Sequence, residues 1–250
     1  MSAPVTKSRF ALVGDYLPRR CGIATFSHDL HEALTRPPPG AECLVVPVND
    51  VLEGYDYPPE VRFEIAEQDL KSYQRAADFL NFSDAEVVCL QHEFGIFGGP
   101  AGSHVLAFLR QVRLPVVAQL HTLLERPDRD QRRVMEEMNR LVARFIVMTE
   151  RARRMLTENH RVPPERIDLI PHGIPDQPFV DPAFYKDQFG VEGKRVLLTF
   201  GLISPGKGIE FALRALPEIV RAVPDLVYII LGATHPNLLR EEGESYRLSL

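Results

Sequence analysis

Short, nearly unbroken apolar runs recur along the chain and alternate with stretches of helical periodicity. The runs are FALVGDY (10–16), ECLVVPV (42–48), AEVVCLQH (85–92), PVVAQLH (115–121), RFIVMT (144–149) and DLIPHGI (168–174). A strand with one face in water alternates apolar and polar residues, whereas a strand covered on both faces reads as these do. Residues 22–34, 69–82, 102–112, 128–144 and 150–158 carry the helical pattern between them. Strand and helix in turn predict an α/β class chain with a parallel sheet of βαβ units, whose ligand contacts fall at the C-terminal ends of the strands.

A second series follows PDQPFVDPAFYKDQFGVEGK (175–194), whose three prolines read as a linker. It comprises a strand RVLLTFG (195–201), a helix from 208 to about 222 and a strand LVYIILG (226–232). The expected organisation is a first domain over 1–175, a linker over 176–194 and the first part of a second domain over 195–250. A doubly wound domain has about five or six strands. The two seen in the second series predict that this chain is a truncated form of a longer two-domain protein.

The remaining composition excludes several classes. A net charge of -5 over 250 residues gives no general basic surface for nucleic acid, so any phosphate site has to be local. Three cysteines, Cys21, Cys43 and Cys89, show neither C-x-x-C nor zinc spacing, which points away from disulfides and structural metal and toward a reducing cytoplasm. The amino-terminal apolar run is broken by Gly14 and Asp15 before it reaches signal-peptide length, and no apolar stretch approaches the roughly 20 residues of a membrane-spanning helix. The mixed-charge stretch 128–144 reads as an amphipathic helix packed on the sheet, with a basic membrane-surface helix as its rival. RPPPG (36–40) reads as a surface loop.

FGLISPGKGIEFA (200–212) places Gly201, Gly206 and Lys207 at the spacing of a phosphate-binding P-loop. Gly208 stands where that loop needs a hydroxyl for Mg²⁺, and Pro205 removes a backbone N–H from the cradle. Nucleoside triphosphate hydrolysis is therefore not expected. What remains is a strand, a glycine-containing turn, one lysine and a helix N-terminus, which together suit a diphosphate. A lysine decorating a surface βα turn is the alternative. His92 and Glu93 begin an H-E-x-x-H pattern, but Ile96 stands at the second histidine position, so no zinc site is expected there.

Taken in order, YLPRRCGIATF (16–26), QHEFGIFGG (91–99), QLHT (119–122), DLIPHGI and TFGLISPGKGIEFALRALPEI (199–219) resemble the family 4 glycosyltransferases. These are retaining enzymes of the GT-B fold that use nucleotide-sugar donors. The resemblance covers nearly the whole chain and implies a GT-B-like architecture, one Rossmann-like acceptor-side domain plus part of a nucleotide-sugar domain. It implies no metal and no cofactor beyond the nucleotide diphosphate sugar itself, with a hydroxyl acceptor as the other partner. Peripheral membrane contact is compatible with it.

The family's loop commonly reads Gly-Arg-Leu-x-x-x-Lys-Gly, so the resemblance assigns Lys207, with Gly201 and Gly208, to the donor diphosphate. Leu202 occupies the usual arginine position, which halves the charge of that grip. His121, in a His-Thr pair, is implied beside the donor sugar as the catalytic position; a structural histidine at a strand end is the alternative. Gly22 is implied near the donor phosphate or sugar, although Cys21 replaces the glycine that usually precedes it. Glu93 and Gly95 are candidates for acceptor or sugar contact, or form a local hydrogen-bonded turn. Glu210 and Glu218 copy the spacing of the family's glutamate pair but lie on the wrong helix, and read as a solvated face. HGI (172–174) is expected to shape the crossover rather than perform chemistry.

The resulting expectation is a retaining hexosyltransferase, inactive or weak as the 250-residue chain. A nucleotide-sugar epimerase, a sugar phosphorylase or a non-catalytic sugar-binding module are the alternatives.

Overall fold

The computed structural model describes residues 8–37, 40–174 and 176–250. Residues 1–7 of the amino-terminal stretch and Pro38 and Pro39 of the RPPPG loop lie outside the described residues. The polypeptide divides into two units, Met1–Pro175 and Asp176–Leu250.

In the first unit the elements run β1 (Arg9–Gly14), α1 (Gly22–Thr35), β2 (Glu42–Asn49), β3 (Ile65–Ala66), α2 (Leu70–Asn81) and β4 (Val87–His92). They continue with α3 (Val105–Gln111), β5 (Val116–Leu120), α4 (Arg129–Leu141), β6 (Arg144–Val147), α5 (Glu150–His160) and β7 (Ile167–Leu169). The strands form one seven-stranded sheet in the order β3-β2-β1-β4-β5-β6-β7, with every neighbouring pair parallel.

Successive strand side chains point to opposite faces, and here both faces are covered. Ala11 and Val13 of β1 join the larger core with Tyr73 and Leu80 of α2, Phe108 of α3, Met135 and Met138 of α4 and Leu156 of α5. Leu12, between them in sequence, packs in a second cluster with Tyr16 and Val45, against Leu30 of α1. Each such side chain contributes about 1.5–3 kcal/mol when fully buried, which is why these strands carry no polar alternation.

The helix starts follow from capping. Asp69 accepts from Lys71 N, Asp128 and Gln131 form a reciprocal capping box, and Thr149 accepts from Ala152 N. β3 was not expected, because two residues carry no period. DLIPHGI was expected as a strand to residue 174, yet β7 ends at Leu169; Ile170 N still donates to Val147 O, after which Pro171 has no N–H to offer.

The second unit contains α6 (Pro182–Gln188), β8 (Arg195–Phe200), α7 (Ile209–Ala222), β9 (Leu226–Leu231), α8 (Pro236–Glu242) and α9 (Ser245–Ser249). The stretch read as a linker thus holds a helix. Pro182 occupies its first turn, where a missing N–H costs nothing, and Asp181 caps it by accepting from Ala183 N. β8 and β9 pair in parallel. Beyond them the Gly201 and Gly232 backbones meet so closely that a Cβ on Gly232 would lie 1.8 Å from the Gly201 carbonyl oxygen. Gly201 itself has φ +117°, a conformation that favours glycine.

Unlike the strands of the first unit, these two are not buried on both faces. Leu198 is 51% exposed, Phe200 73% and Leu231 48%. Among the described residues this sheet has two strands, and the elements beside them leave these side chains partly uncovered. Nor is Glu210 simply solvated. It accepts a 2.7 Å hydrogen bond from the Tyr246 hydroxyl and so ties α7 to α9, while Glu218 is exposed as expected.

Candidate functional site

In the first unit, β1 is flanked by β2 on one side and β4 on the other, so the strand order reverses there and the loops leaving β1 and β4 diverge. A crevice for ligands opens at such a point, outside the C-terminal ends of the strands. His121, Gly22, Glu93 and Gly95 all follow strands at that end.

The β1–α1 loop is held from below by charge. Asp15, with a fully buried side chain, accepts a 2.8 Å hydrogen bond from Arg19, whose guanidinium also donates to Val48 O and lies 3.6 Å from Asp50. Cys21 donates through Sγ–H to the other Asp15 oxygen at 3.1 Å, and its sulfur accepts from Ala24 N at 3.2 Å, capping α1. Burial and the Asp15 charge push the Cys21 thiol up to about 12, so it serves as an uncharged cap. That role accounts for cysteine in place of glycine before Gly22. Beside Gly22 the space is open, with no atom within 4 Å of where a Cβ would stand.

His121 follows β5. Its backbone N–H donates to His92 O, extending the β4–β5 ladder, and its Nε2 lies 2.8 Å from Gln91 Oε1. Phe26 of α1 meets the His121 ring edge-on at 4.9 Å and the His172 ring at 5.0 Å. Burial, with His172 nearby, pulls the His121 imidazole down to about 4, so it is neutral at pH 7. The same side chain lines a pocket of about 240 Å³ with Leu120, Leu123, Met148 and Met155, beside the ion pair of Glu125 and Arg151 at 3.1 Å.

His92 is fully buried between Phe94 and Phe97, and neither ring nitrogen has a hydrogen-bond partner. Glu93 accepts from Phe94 N at 2.9 Å and caps a 3-10 turn over Phe94–Ile96, within which Gly95 is exposed and unobstructed. The local-turn reading therefore describes the carboxylate of Glu93.

Gln91, Phe26 and His172 were not among the expected site residues. Gln91 did leave a signal, being a polar residue inside an otherwise buried apolar strand, which requires a partner. Phe26 left none, since an aromatic on a helix reads as core.

In the second unit, Lys207 ends a 3-10 turn over Pro205–Lys207, and Gly208, at φ +63°, is the N-cap of α7. The lysine ammonium folds back to 3.5 Å from where a Cβ on Gly201 would be. No carboxylate pairs with it among the described residues. An unpaired cation thus sits at the start of a 14-residue helix, whose orphan N–H groups favour an anion. Glu210, in the first turn of α7, uses part of that field. Leu202 is half-buried and brings no charge.

The profile of Glycosyltransferase Family 4 matches residues 22–177, more than half of the chain. The alpha-D-kanosaminyltransferase of Streptomyces kanamyceticus is 25% identical over 151 residues, covering 54% of this chain and 39% of that protein. The D-inositol 3-phosphate glycosyltransferase of Segniliparus rotundus is 27% identical over 144 residues, covering 52% and 32%. The structure of Anabaena HepE in complex with UDP and glucose superposes with a TM-score of 0.66 at 17% identity, over 95% of this chain and 64% of that one. The matches thus span roughly a third to two-fifths of the curated relatives and under two thirds of HepE. The expected architecture, α/β and GT-B-like, is the one found.

Proposed function

Because the chain belongs to glycosyltransferase family 4, we propose that it is the acceptor-side domain and diphosphate-binding turn of a retaining hexosyltransferase that uses a nucleoside diphosphate sugar. The observation that carries this reading is the His121 site: a neutral imidazole, fixed by Gln91 at the C-terminal end of a parallel strand, lining a pocket. A neutral imidazole suits a sugar hydroxyl better than a phosphate. Lys207 supplies the complementary function of neutralising charge as the diphosphate leaves, on a turn shaped by Gly201 and Gly208.

The step proposed is a front-face displacement. The bond from the sugar's anomeric carbon to the diphosphate oxygen breaks, the acceptor oxygen bonds to that carbon on the same face, and the acceptor proton passes to the departing diphosphate. His121 positions the reacting sugar. Gly22 leaves room for the donor and Gly95 for the acceptor, whereas Glu93 first stabilises its own turn. The open two-stranded sheet supports low turnover by residues 1–250 alone. Three free cysteines suit a reducing, cytoplasmic setting. Among the described residues no helix is long and apolar enough to cross a membrane.

Product analysis tests the reading. A polypeptide carrying these residues, given nucleoside diphosphate hexoses and hydroxyl acceptors, is expected to release nucleoside diphosphate and a glycoside with the donor's anomeric configuration by NMR. An inverted glycoside, an epimerised donor without transfer, or phosphate-dependent cleavage contradicts it; sugar binding with no affinity for a nucleoside diphosphate supports a binding module instead.

A further inference from the structure

Gln91 is completely buried, so its amide must satisfy its hydrogen-bonding groups inside the protein. Its Nε2 donates to Cys89 Sγ at 3.3 Å, which leaves Oε1 facing His121 Nε2 at 2.8 Å. In this orientation the amide oxygen can only accept, which puts the proton of the neutral His121 ring on Nε2. The Gly14 backbone closes against Gln91: a Cβ on Gly14 would come within 2.8 Å of Gln91 Cβ. That contact fixes the root of the side chain, while complete burial and the two hydrogen bonds, to Cys89 and His121, hold the amide.

The other nitrogen, Nδ1, has no protein partner among the described residues. Unlike both nitrogens of His92, it is not sealed from solvent. We propose that Gln91 is a positioning residue that locks His121 in the Nε2–H tautomer, so that Nδ1 offers a lone pair and selects a hydrogen-bond donor on the ligand. Resting on the transferase reading above, that donor is a sugar hydroxyl. A phosphate oxygen, with no proton to give at neutral pH, is rejected by the same lone pair. The arrangement thus fixes what His121 can recognise, a property the His-Thr pair in the sequence does not specify.

The ring nitrogens report this directly. In the wild-type chain with ¹⁵N-labelled histidine, assigned with His121→Ala, a long-range ¹H–¹⁵N correlation at neutral pH is expected to show a pyrrole-type Nε2 and a pyridine-type Nδ1 for His121. Gln91→Leu should collapse that difference toward a tautomer mixture. Gln91→Glu should restore the Nε2–H form and raise the His121 pKa by about 1–3 units, as an added carboxylate does. The other ionisable groups around this ring are His92, His172 and the Glu125–Arg151 pair; all are unchanged in these variants. A pyridine-type Nε2, a mixture in the wild type, or a wild-type tautomer retained in a folded Gln91→Leu chain overturns the proposal. None of these readings depends on turnover, so they stand apart from the fate of the transferase assignment.

Discussion

Replacing Arg19 with alanine is expected to cost about 3–5 kcal/mol of stability at pH 8, the range for removing one partner of a buried ion pair. The loss follows from what stays behind. Asp15 has no exposed side-chain surface, and without Arg19 its carboxylate keeps only the Cys21 thiol as a donor. Burial already raises the Asp15 carboxyl to about 7 even with Arg19 beside it. Without Arg19 the carboxyl rises further, so above pH 7 the variant's native state takes up a proton that neither the wild-type native state nor the unfolded chain, with the ordinary value of 3.8, has bound. More protons bound in the native state means stability rises as pH falls through that window. Urea midpoints should accordingly show a deficit that shrinks from pH 8 to pH 5. Replacing both partners, Asp15→Asn with Arg19→Met, should recover much of the loss. A deficit that is small, or that grows in acid, would contradict a buried pair holding the β1–α1 loop.

His92 supplies an effect of similar size and opposite pH sense. Burial, reinforced by His121, lowers its pKa from 6.5 to about 3. Above pH 6.5 both native and unfolded forms are neutral, and the stabilisation relative to the protonated ring is fully present. As pH falls below 6.5 the unfolded chain gains the proton first, so stability drops toward pH 3, by roughly 4 kcal/mol in all. His92→Phe removes the titrating group and also two buried nitrogens that no partner satisfies, each such unmet group costing about 1–3 kcal/mol. The variant is expected to match or exceed wild-type stability at neutral pH and to have a flatter acid limb between pH 6.5 and 4. An unchanged acid limb would show that His92 is not the buried neutral group described.

The sheet of the first unit was legible because burial on two faces leaves an unbroken apolar run, and β1, β2, β4, β5 and β6 all carry one. β3 was not, since its pairing rests on two residues, Ile65 and Ala66, against Val48 and Asn49. The helix at Pro182 was misread because proline marks both linkers and first helical turns; Asp181 before it was the distinguishing sign. His121 and Lys207 could be found as strand-end and turn residues. The partner that gives His121 its chemistry could not, because Gln91 lies 30 positions away and meets it only through the β4–β5 register. Cys21 was read as a lost glycine, and its capping of α1 depends on the Asp15 contact, which only the folded loop shows.

The claim that joins these observations is that Lys207 and its turn receive the diphosphate of a nucleotide sugar. Phosphorus-31 NMR of UDP during titration with this chain tests it even where binding is weak. The β-phosphate resonance is expected to shift or broaden with the wild type, and Lys207→Ala, at an exposed position, to weaken that response about tenfold or more, the equivalent of one charge-assisted hydrogen bond. His121→Ala should leave the response in place. A β-phosphate that ignores the wild-type chain, or responds equally to Lys207→Ala, would contradict the account.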